Sequence, residues 1–554
     1  MRKALLAFTT VAVATLLIVF TVNALRAQSR EAVALAGQVT SSEEGAMEGV
    51  LVSAKRPGST ITVTVVTDQT GRYRFPATRL EVGQYALRTR AVGYDLDGPS
   101  SVAVTPGQTA TADLHLKKTT DLAGQLTNAE WRMSIPGTDE QKKTMIDCAG
   151  CHSLLRIVSS RYTAAEFEAV IPRMAAYAQG STPLQPERRL AEPRPRDPKA
   201  LRAQAEYLAS INLSTGAPWK YPLKTLPRPT GRATHVIVTE YDLPRVVTEP
   251  HDVVVDAQGL AWYTDFGTQI LGSLDPKTGA VTEYQVPTLK PGSANGELDL
   301  EQDKSGNIWL GMMMQGGVAQ FDPKTKSFKT FPLPADLQNN AAQIAMVTPP
   351  SPNDGLMWTN DVDHGTIHRL DPKTSRWETF GPLRDANGHE INTYGLYSDA
   401  ANNAYVLDFS GNGNYIGRID AKTGAISFIP TPTKNSRPRR GRFDSAGRLW
   451  FAEYGTDQVA MYDSKTGKVT EWPLPTKWTT PYDAVLDKNG DLWTGSMWTD
   501  RVQRLDPRSG SVVEYLLPRS TNIRRVFVDN TTSPVAFWTG DDQSAHIVKL
   551  ELLP

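Results

Sequence analysis

Both cysteines of the 554-residue chain fall in one five-residue run, Cys148-Ala149-Gly150-Cys151-His152. Two thiols at this spacing can add to the two vinyl groups of a single porphyrin, and the histidine that follows is placed to ligate the iron from one face. The run predicts one covalent haem c, held by Cys148 and Cys151, with His152 as the proximal iron ligand. A thioredoxin-like redox pair has the same C-x-x-C spacing but sits in a βαβ setting, which is missing here.

The N-terminus agrees with that chemistry. Arg2 and Lys3 precede an uncharged, mostly apolar stretch from Ala4 to Leu25, and polar Gln28 and Ser29 follow Ala27. Residues 1–27 read as an export signal, and the apolar run is also long enough to be kept as an uncleaved inner-membrane anchor. The expectation is an exported, periplasmic protein, since covalent haem is attached after export. Lys+Arg and Asp+Glu are both 59. With no basic excess to hold a phosphate backbone, nucleic acid is excluded as an expected partner. At 40% apolar and 21% charged residues, the composition is that of a globular chain, and its length predicts several domains.

Three kinds of element position the motif. Residues 33–117 show short β-type runs, among them Val50–Ala54, Ile61–Val66, Tyr85–Arg90 and Ala110–Leu116, punctuated by glycines. This is a β-sandwich pattern. With Gly37-Gln-Val-Thr40, Gly49-Val-Leu-Val52, Thr67-Asp-Gln-Thr-Gly-Arg-Tyr73 and Gly93-Tyr94, it resembles the carboxypeptidase regulatory-like domain. The resemblance implies a stalk or docking module.

Residues 120–213 turn helical. Thr138 caps a predicted helix over Gln141–Leu155 that carries the cysteine motif; Thr163 opens a second over Thr163–Ala178; Asp197 precedes a third over Pro198–Ile211. The last, with Ala205-Glu-Tyr-Leu-Ala209, resembles the closing helix of small class I cytochromes c. His152 is the sole histidine between 120 and 213, and the methionines there are Met133, Met145 and Met174. Met145 lies too near the motif to reach the opposite face, so Met174 is the expected distal iron ligand, completing a His/Met pair suited to electron transfer. Residues 214–235 are a proline-rich linker.

From 236 to 554 the chain repeats. An aromatic residue recurs at Trp262, Trp309, Trp358, Tyr405, Trp450, Trp493 and Trp538, 43 to 49 residues apart, and a Leu274-Asp-Pro-Lys-Thr-Gly279-like turn follows the first six. That period with short strands predicts a seven-bladed β-propeller. The last repeat lacks an outer strand, and Val236-Ile-Val-Thr-Glu-Tyr-Asp-Leu-Pro244 is an orphan one; pairing them would close the ring. The fold class expected is thus multidomain and mainly β: a β-sandwich, a small α-helical cytochrome c and a seven-bladed β-propeller.

The propeller, with phrases such as Leu449-Trp-Phe-Ala-Glu-Tyr-Gly455, resembles the streptogramin lyase (virginiamycin B lyase-like) family. That family's lyases carry Glu-Pro-His followed by an acidic residue; the acids hold Mg²⁺ and the histidine is general base. Glu249, His251 and Asp265 match position by position, Asp replacing the usual Glu. The resemblance implies Mg on Glu249 and Asp265 with His251 as base, chemistry suited to a polarised lactone carbonyl. The family's second substrate-contacting histidine has no counterpart. Aligning the repeats also predicts a channel-facing ring that includes Tyr394, Arg439, Glu453, Tyr482 and Arg524. Water-filled propeller channels are commonly lined by polar residues, so such a ring need not be catalytic.

Three functions compete. The first is an exported c-type cytochrome whose haem exchanges electrons with a substrate or partner on the propeller, an oxidoreductase served by a redox partner protein in the periplasm or at the membrane. The propeller's ligand, small molecule or protein, is unidentified. The second is a Mg-dependent streptogramin-type C–O lyase or lactone-opening enzyme. The third is a non-catalytic interaction scaffold with a redox haem.

Overall fold

The computed structural model describes residues 32–98, 100–193, 195–216, 219–385 and 387–553; the export signal or anchor expected at 1–27 lies outside them. Among the described residues no helix is long and apolar enough to cross a membrane.

In the N-terminal sandwich, Val33–Ser41 is the centre of one sheet, parallel to Leu114–Lys118 and antiparallel to Arg72–Pro76. The second sheet runs through Ile61–Val66, Leu51–Lys55, Gly83–Arg90 and Ser101–Val104. Alternate residues point inward, so Leu35, Val39, Val52, Tyr73 and Leu87 make the buried core.

Six antiparallel sheets then follow in sequence, each of four strands except the third, which has three. The seventh consists of Phe527–Asp529, Ala536–Asp541 and His546–Leu552, completed by Val236–Asp242: Val236 lies opposite Leu552 and Asp242 opposite His546. The orphan strand therefore closes the ring. Its other edge pairs with the sandwich, Ile237 opposite Val65 and Tyr241 opposite Ile61. Sandwich and seventh blade share one eight-stranded sheet, which also covers an edge that would otherwise template aggregation.

Four of the repeating tryptophans are fixed by a residue six positions earlier, while Trp358 bonds Asn402. Asp256, Asp303, Asp444 and Asp487 accept the indole N–H of Trp262, Trp309, Trp450 and Trp493 at 2.8–3.0 Å. Each such bond contributes on the order of 1 kcal/mol and locks the turn between the first two strands of its blade.

The helical segment lies on the propeller. It comprises α1 (Asn128–Ser134), α2 (Asp139–Lys143), α3 (Leu155–Val158), α4 (Ala164–Ala175) and α5 (Pro198–Ile211). Thr127, Thr138 and Thr163 form capping boxes with Glu130, Gln141 and Glu166, and Asp197 caps α5 with Pro198 at its first position. Gln141–Leu155 is not one helix: α2 stops at Lys143 and the cysteine motif runs through turns. In a helix the Ala149 and Gly150 carbonyls would accept from residues 153 and 154. Here they accept from side chains of the propeller, and Leu154 N donates to Asn128 Oδ1 (2.8 Å). Tertiary hydrogen bonds have replaced the local ladder.

Docking is tight. Ala129 N donates to the Trp498 carbonyl (2.9 Å). The guanidinium of fully buried Arg132 lies 3.6 Å from the Trp478 ring centroid, a desolvated cation–π contact of about 2 kcal/mol. Beyond α4, a Cβ built on Gly180 would fall 2.0 Å from the Phe266 carbonyl oxygen of the first blade. Backbone meets backbone there, so Gly180→Ala should force the segment off the propeller, destabilise the protein by about 1–3 kcal/mol, and open residues 176–190 to protease. Thermal melts and limited proteolysis check this; an unchanged melt and digest would show that the contact yields.

Candidate functional site

The segment covers the mouth of the propeller and leaves a cavity of about 540 Å³ beneath it. That volume falls in the small-molecule range of roughly 300–1,000 Å³. The lid side is formed by Asp147, Gly150 and Cys151 of the motif and by Gln179; the propeller side includes His251, Tyr394 and Tyr482, with Arg437, Arg439 and Arg524. Three propeller side chains hold the motif in place. Asn522 Nδ2 and Gln543 Nε2 donate to the Ala149 carbonyl at 3.0 and 2.9 Å, and Arg524 Nη2 donates to the Gly150 carbonyl at 2.8 Å. Tyr454 OH adds a bond to the Ile146 carbonyl (3.2 Å).

Cys148 and Cys151 are free thiols. The His152 Nδ1 lies 3.0 Å from the Ser153 carbonyl, so the proton belongs on Nδ1 and the lone pair on Nε2. A ligating histidine uses the same arrangement, its second nitrogen donating to a backbone carbonyl. Two unpaired thiols and one oriented imidazole are the donor types a covalent haem would use; of the three residues, Cys151 borders the cavity and Cys148 and His152 do not. Met174 is not brought to it. Its side chain is 40% exposed on α4 and is not part of the cavity wall.

His251 is fully buried. Its Nδ1 donates to Asp252 (2.6 Å), and its Nε2 accepts from the Tyr482 hydroxyl (3.1 Å). Tyr482 in turn hydrogen-bonds Tyr394. Burial pushes the His251 pKa down to about 3, against the pull of Asp252. Burial alone would raise Asp252, but Arg440 and the His251 hydrogen bond, with Arg525, hold it well below the usual carboxylate range. The result is a neutral imidazole backed by an anion, with its open nitrogen joined to two phenols. Tyr482 joins the cavity to Nε2 of His251 by a hydrogen-bonded route a proton can follow, but the depressed pKa makes the imidazole a weak base at neutral pH.

Below this lies a cluster of buried charge. Arg440 forms a bidentate pair with Asp252 (2.7 and 2.8 Å) and bonds Asp299; Arg525 bonds Asp252 (3.0 Å), Asp299 (3.3 Å) and Glu301 (3.0 Å). These residues come from blades one, two, five and seven. Sequence reasoning missed them, although the signal was present one position after the predicted ring: Asp252, Asp299, Arg440, Asp483 and Arg525. Strand alternation would send that position away from the channel. Register irregularities between Pro250 and Val253, and between Pro438 and Gly441, let consecutive residues share it.

Glu249 and Asp265 do not assemble a magnesium site. Asp265 pairs with Arg245 (2.6 Å), accepts from Thr268 Oγ1 (2.5 Å), and takes the backbone N–H of Glu249 (3.1 Å) and Gly267 (3.0 Å). Asp361, Asp408 and Asp541 hold backbone N–H groups in the same way in other blades, so Asp265 repeats a structural role. Burial, with nearby Asp542 and Asp265, raises the Glu249 pKa well above the ordinary value, which favours its neutral form. Among the described residues no group of three or more His, Cys, Asp or Glu is arranged to hold a metal ion. Glu453 is buried but outside the cavity wall, and burial drives its carboxyl up to about 8.

The buried imidazole carries a pH dependence. Its folded pKa is depressed below the unfolded value, so the unfolded chain binds the extra proton first. Its contribution is complete above about pH 6.5 and is lost as pH falls toward 3. The stability advantage of the parent over His251→Gln should shrink by about 2 kcal/mol between pH 7 and pH 4.5. Paired denaturation curves check this; an advantage independent of pH would refute a neutral buried His251.

With this geometry in hand, the chain can be set beside known proteins. The virginiamycin B lyase family model matches residues 387–552, and the carboxypeptidase regulatory-like domain model matches residues 34–117. Curated proteins give no match. Among solved structures, a virginiamycin B lyase from Staphylococcus aureus is 20% identical with a TM-score of 0.50, covering 57% of this chain and 100% of its own. A streptogramin B lyase structure is also 20% identical at 0.50, covering 58% of this chain and 100% of its own. At this identity the likeness is one of fold: a lyase-like β-propeller, joined here to a carboxypeptidase regulatory-like domain.

Proposed function

We propose that this protein is an exported haem c oxidoreductase in which a ligand bound at the propeller mouth exchanges electrons with a haem on Cys148 and Cys151. The observation that supports it is spatial. The cysteine motif is hydrogen-bonded over the mouth, and Cys151 borders the same cavity as His251, Tyr394 and Tyr482. Cys148 and Cys151 would hold the group and the Nε2 of His152 would ligate the iron; the distal ligand is left unassigned. Such a haem supplies one-electron transfer. The chain's own residues supply the rest. The mouth binds and orients the ligand, the lid excludes water, and Tyr482 with His251 and Asp252 takes the proton released as the ligand is oxidised. A periplasmic or membrane-bound redox partner would then reoxidise the haem.

The lyase-like fold supports a second reading, a C–O lyase or lactone-opening enzyme. The Asp252–His251–Tyr482 chain would serve it as base, with no magnesium on Glu249 and Asp265.

The full chain is to be produced with its own export segment in a host that attaches haem c. It should retain haem through denaturing electrophoresis, and a Cys148→Ser/Cys151→Ser chain should lose it. Under anaerobic conditions, small-molecule pools from the host should reduce the ferric haem of the parent at least tenfold faster than that of Tyr482→Phe or His251→Ala. Absence of covalent haem overturns the proposal. Haem reduction that is equal in all three proteins would detach the propeller from the redox chemistry.

A further inference from the structure

The three arginines at the cavity differ in what neutralises them. Arg524 is paired with Asp542 (2.6 Å) and Arg437 with Asp147 (3.5 Å). The other carboxylates on the cavity wall are also engaged, Asp363 with Arg189 and Glu390 with Arg384. None of the described ion pairs includes Arg439. Its side chain lines the cavity at 8% exposure, its Nε has no hydrogen-bond partner, and its Nη1 reaches only the Met497 sulfur at 3.6 Å. Rings surround the guanidinium: Tyr482 at 3.8 Å, Phe409 at 4.1 Å and Tyr454 at 4.6 Å from centroid. Ring faces soften the cost of burying a cation but leave its in-plane donors unsatisfied. A buried guanidinium that lines a cavity with open donors calls for a planar anion, because two parallel N–H bonds match a carboxylate.

We propose that Arg439 is the anchor of a carboxylate site in this cavity, taking the carboxylate of a small molecule with an apolar body. Phe266, Leu298, Val362 and Ile391 on the same wall would receive that body. The Tyr482 hydroxyl, packed against Arg439 and bonded to His251, would then stand beside the anchored end of the ligand. Such a carboxylate has two sources: a diffusible ligand, or a propionate of the haem itself. The inference rests on the cavity of the preceding section but does not require the haem.

The test uses the full chain in two forms, as purified with its haem and as Cys148→Ser/Cys151→Ser. Each is titrated by calorimetry with benzoate and with neutral benzamide. A diffusible source predicts benzoate binding to the haem-bearing chain at least tenfold tighter than benzamide, with that preference abolished in Arg439→Met and partly retained in Arg439→Lys. A propionate source predicts the preference in the cysteine-free chain alone, together with a shifted haem reduction midpoint in Arg439→Met. No preference for benzoate in either form overturns the proposal without recourse to any variant, as does a preference that survives Arg439→Met. Should the chain carry no haem, the oxidoreductase reading falls while the titration of the same chain still decides the carboxylate site.

Discussion

The ring is organised around two arginines that it cannot leave unpaired. Arg440 and Arg525 are withdrawn from water at the centre of the propeller, and their charge is met by Asp252, Asp299 and Glu301. Removing one member would strand the others, at a cost of roughly 3–5 kcal/mol. Arg440 of blade five thereby reaches Asp252 of blade one and Asp299 of blade two, neither of them its neighbour in the ring. It also does something local: Asp252, held as an anion by Arg440, fixes the His251 proton on Nδ1 and turns the lone pair of Nε2 toward Tyr482. The charge cluster lies behind the cavity wall, and the orientation of His251 on that wall follows from it.

What closes the cavity from above is a second exchange of partners. The cysteine motif lies where the local pattern favours helix, yet its carbonyls are taken by Asn522, Gln543 and Arg524. Giving up helical hydrogen bonds is close to neutral when each carbonyl finds another donor. The gain is position: the Cys148–Cys151 turn is set over the mouth rather than on the outer face of a helix. The sandwich reinforces the arrangement from a distance, since its Ile61–Val66 strand continues the very blade that supplies those three side chains.

This accounts for what could be read beforehand. The propeller was legible because its repeats carry local signals: an aromatic in all seven and an Asp-led turn after the first six. Those are local, and so is the orphan strand 236–244, recognisable as a strand without a blade. The ring positions Tyr394, Arg439, Tyr482 and Arg524 could be named because one alignment serves all blades. What could not be read depends on contacts between distant segments. Nothing within Gln141–Leu155 announces that its helix is broken by residues nearly 400 positions later. Asp252 and Arg440 sit where strand alternation would turn them to the opposite face, and register shifts bring them inward; Asp299 and Arg525 precede the first strand of their blades, where alternation gives no guide. Asp265 misled in the other direction: its match to a metal-binding pattern is real as sequence, but Arg245 and two backbone N–H groups claim its oxygens.

These constraints bear on which chemistry the cavity can support. A metal-assisted elimination needs carboxylates free to bind a cation, and blade one has committed Asp265 to its own backbone. A redox reaction asks for other things: an electron acceptor near the bound ligand, a base for the proton that leaves with the electrons, and a group that fixes the ligand between them. Cys151 of the motif turn, Tyr482 with His251, and Arg439 all line one cavity. His251 is neutral because it is buried, and Asp252 behind it offsets only part of the cost of charging it. On the proposed reading, the electron would leave a ligand held there toward the cysteine motif and the proton toward Tyr482 and His251, so that the two routes diverge.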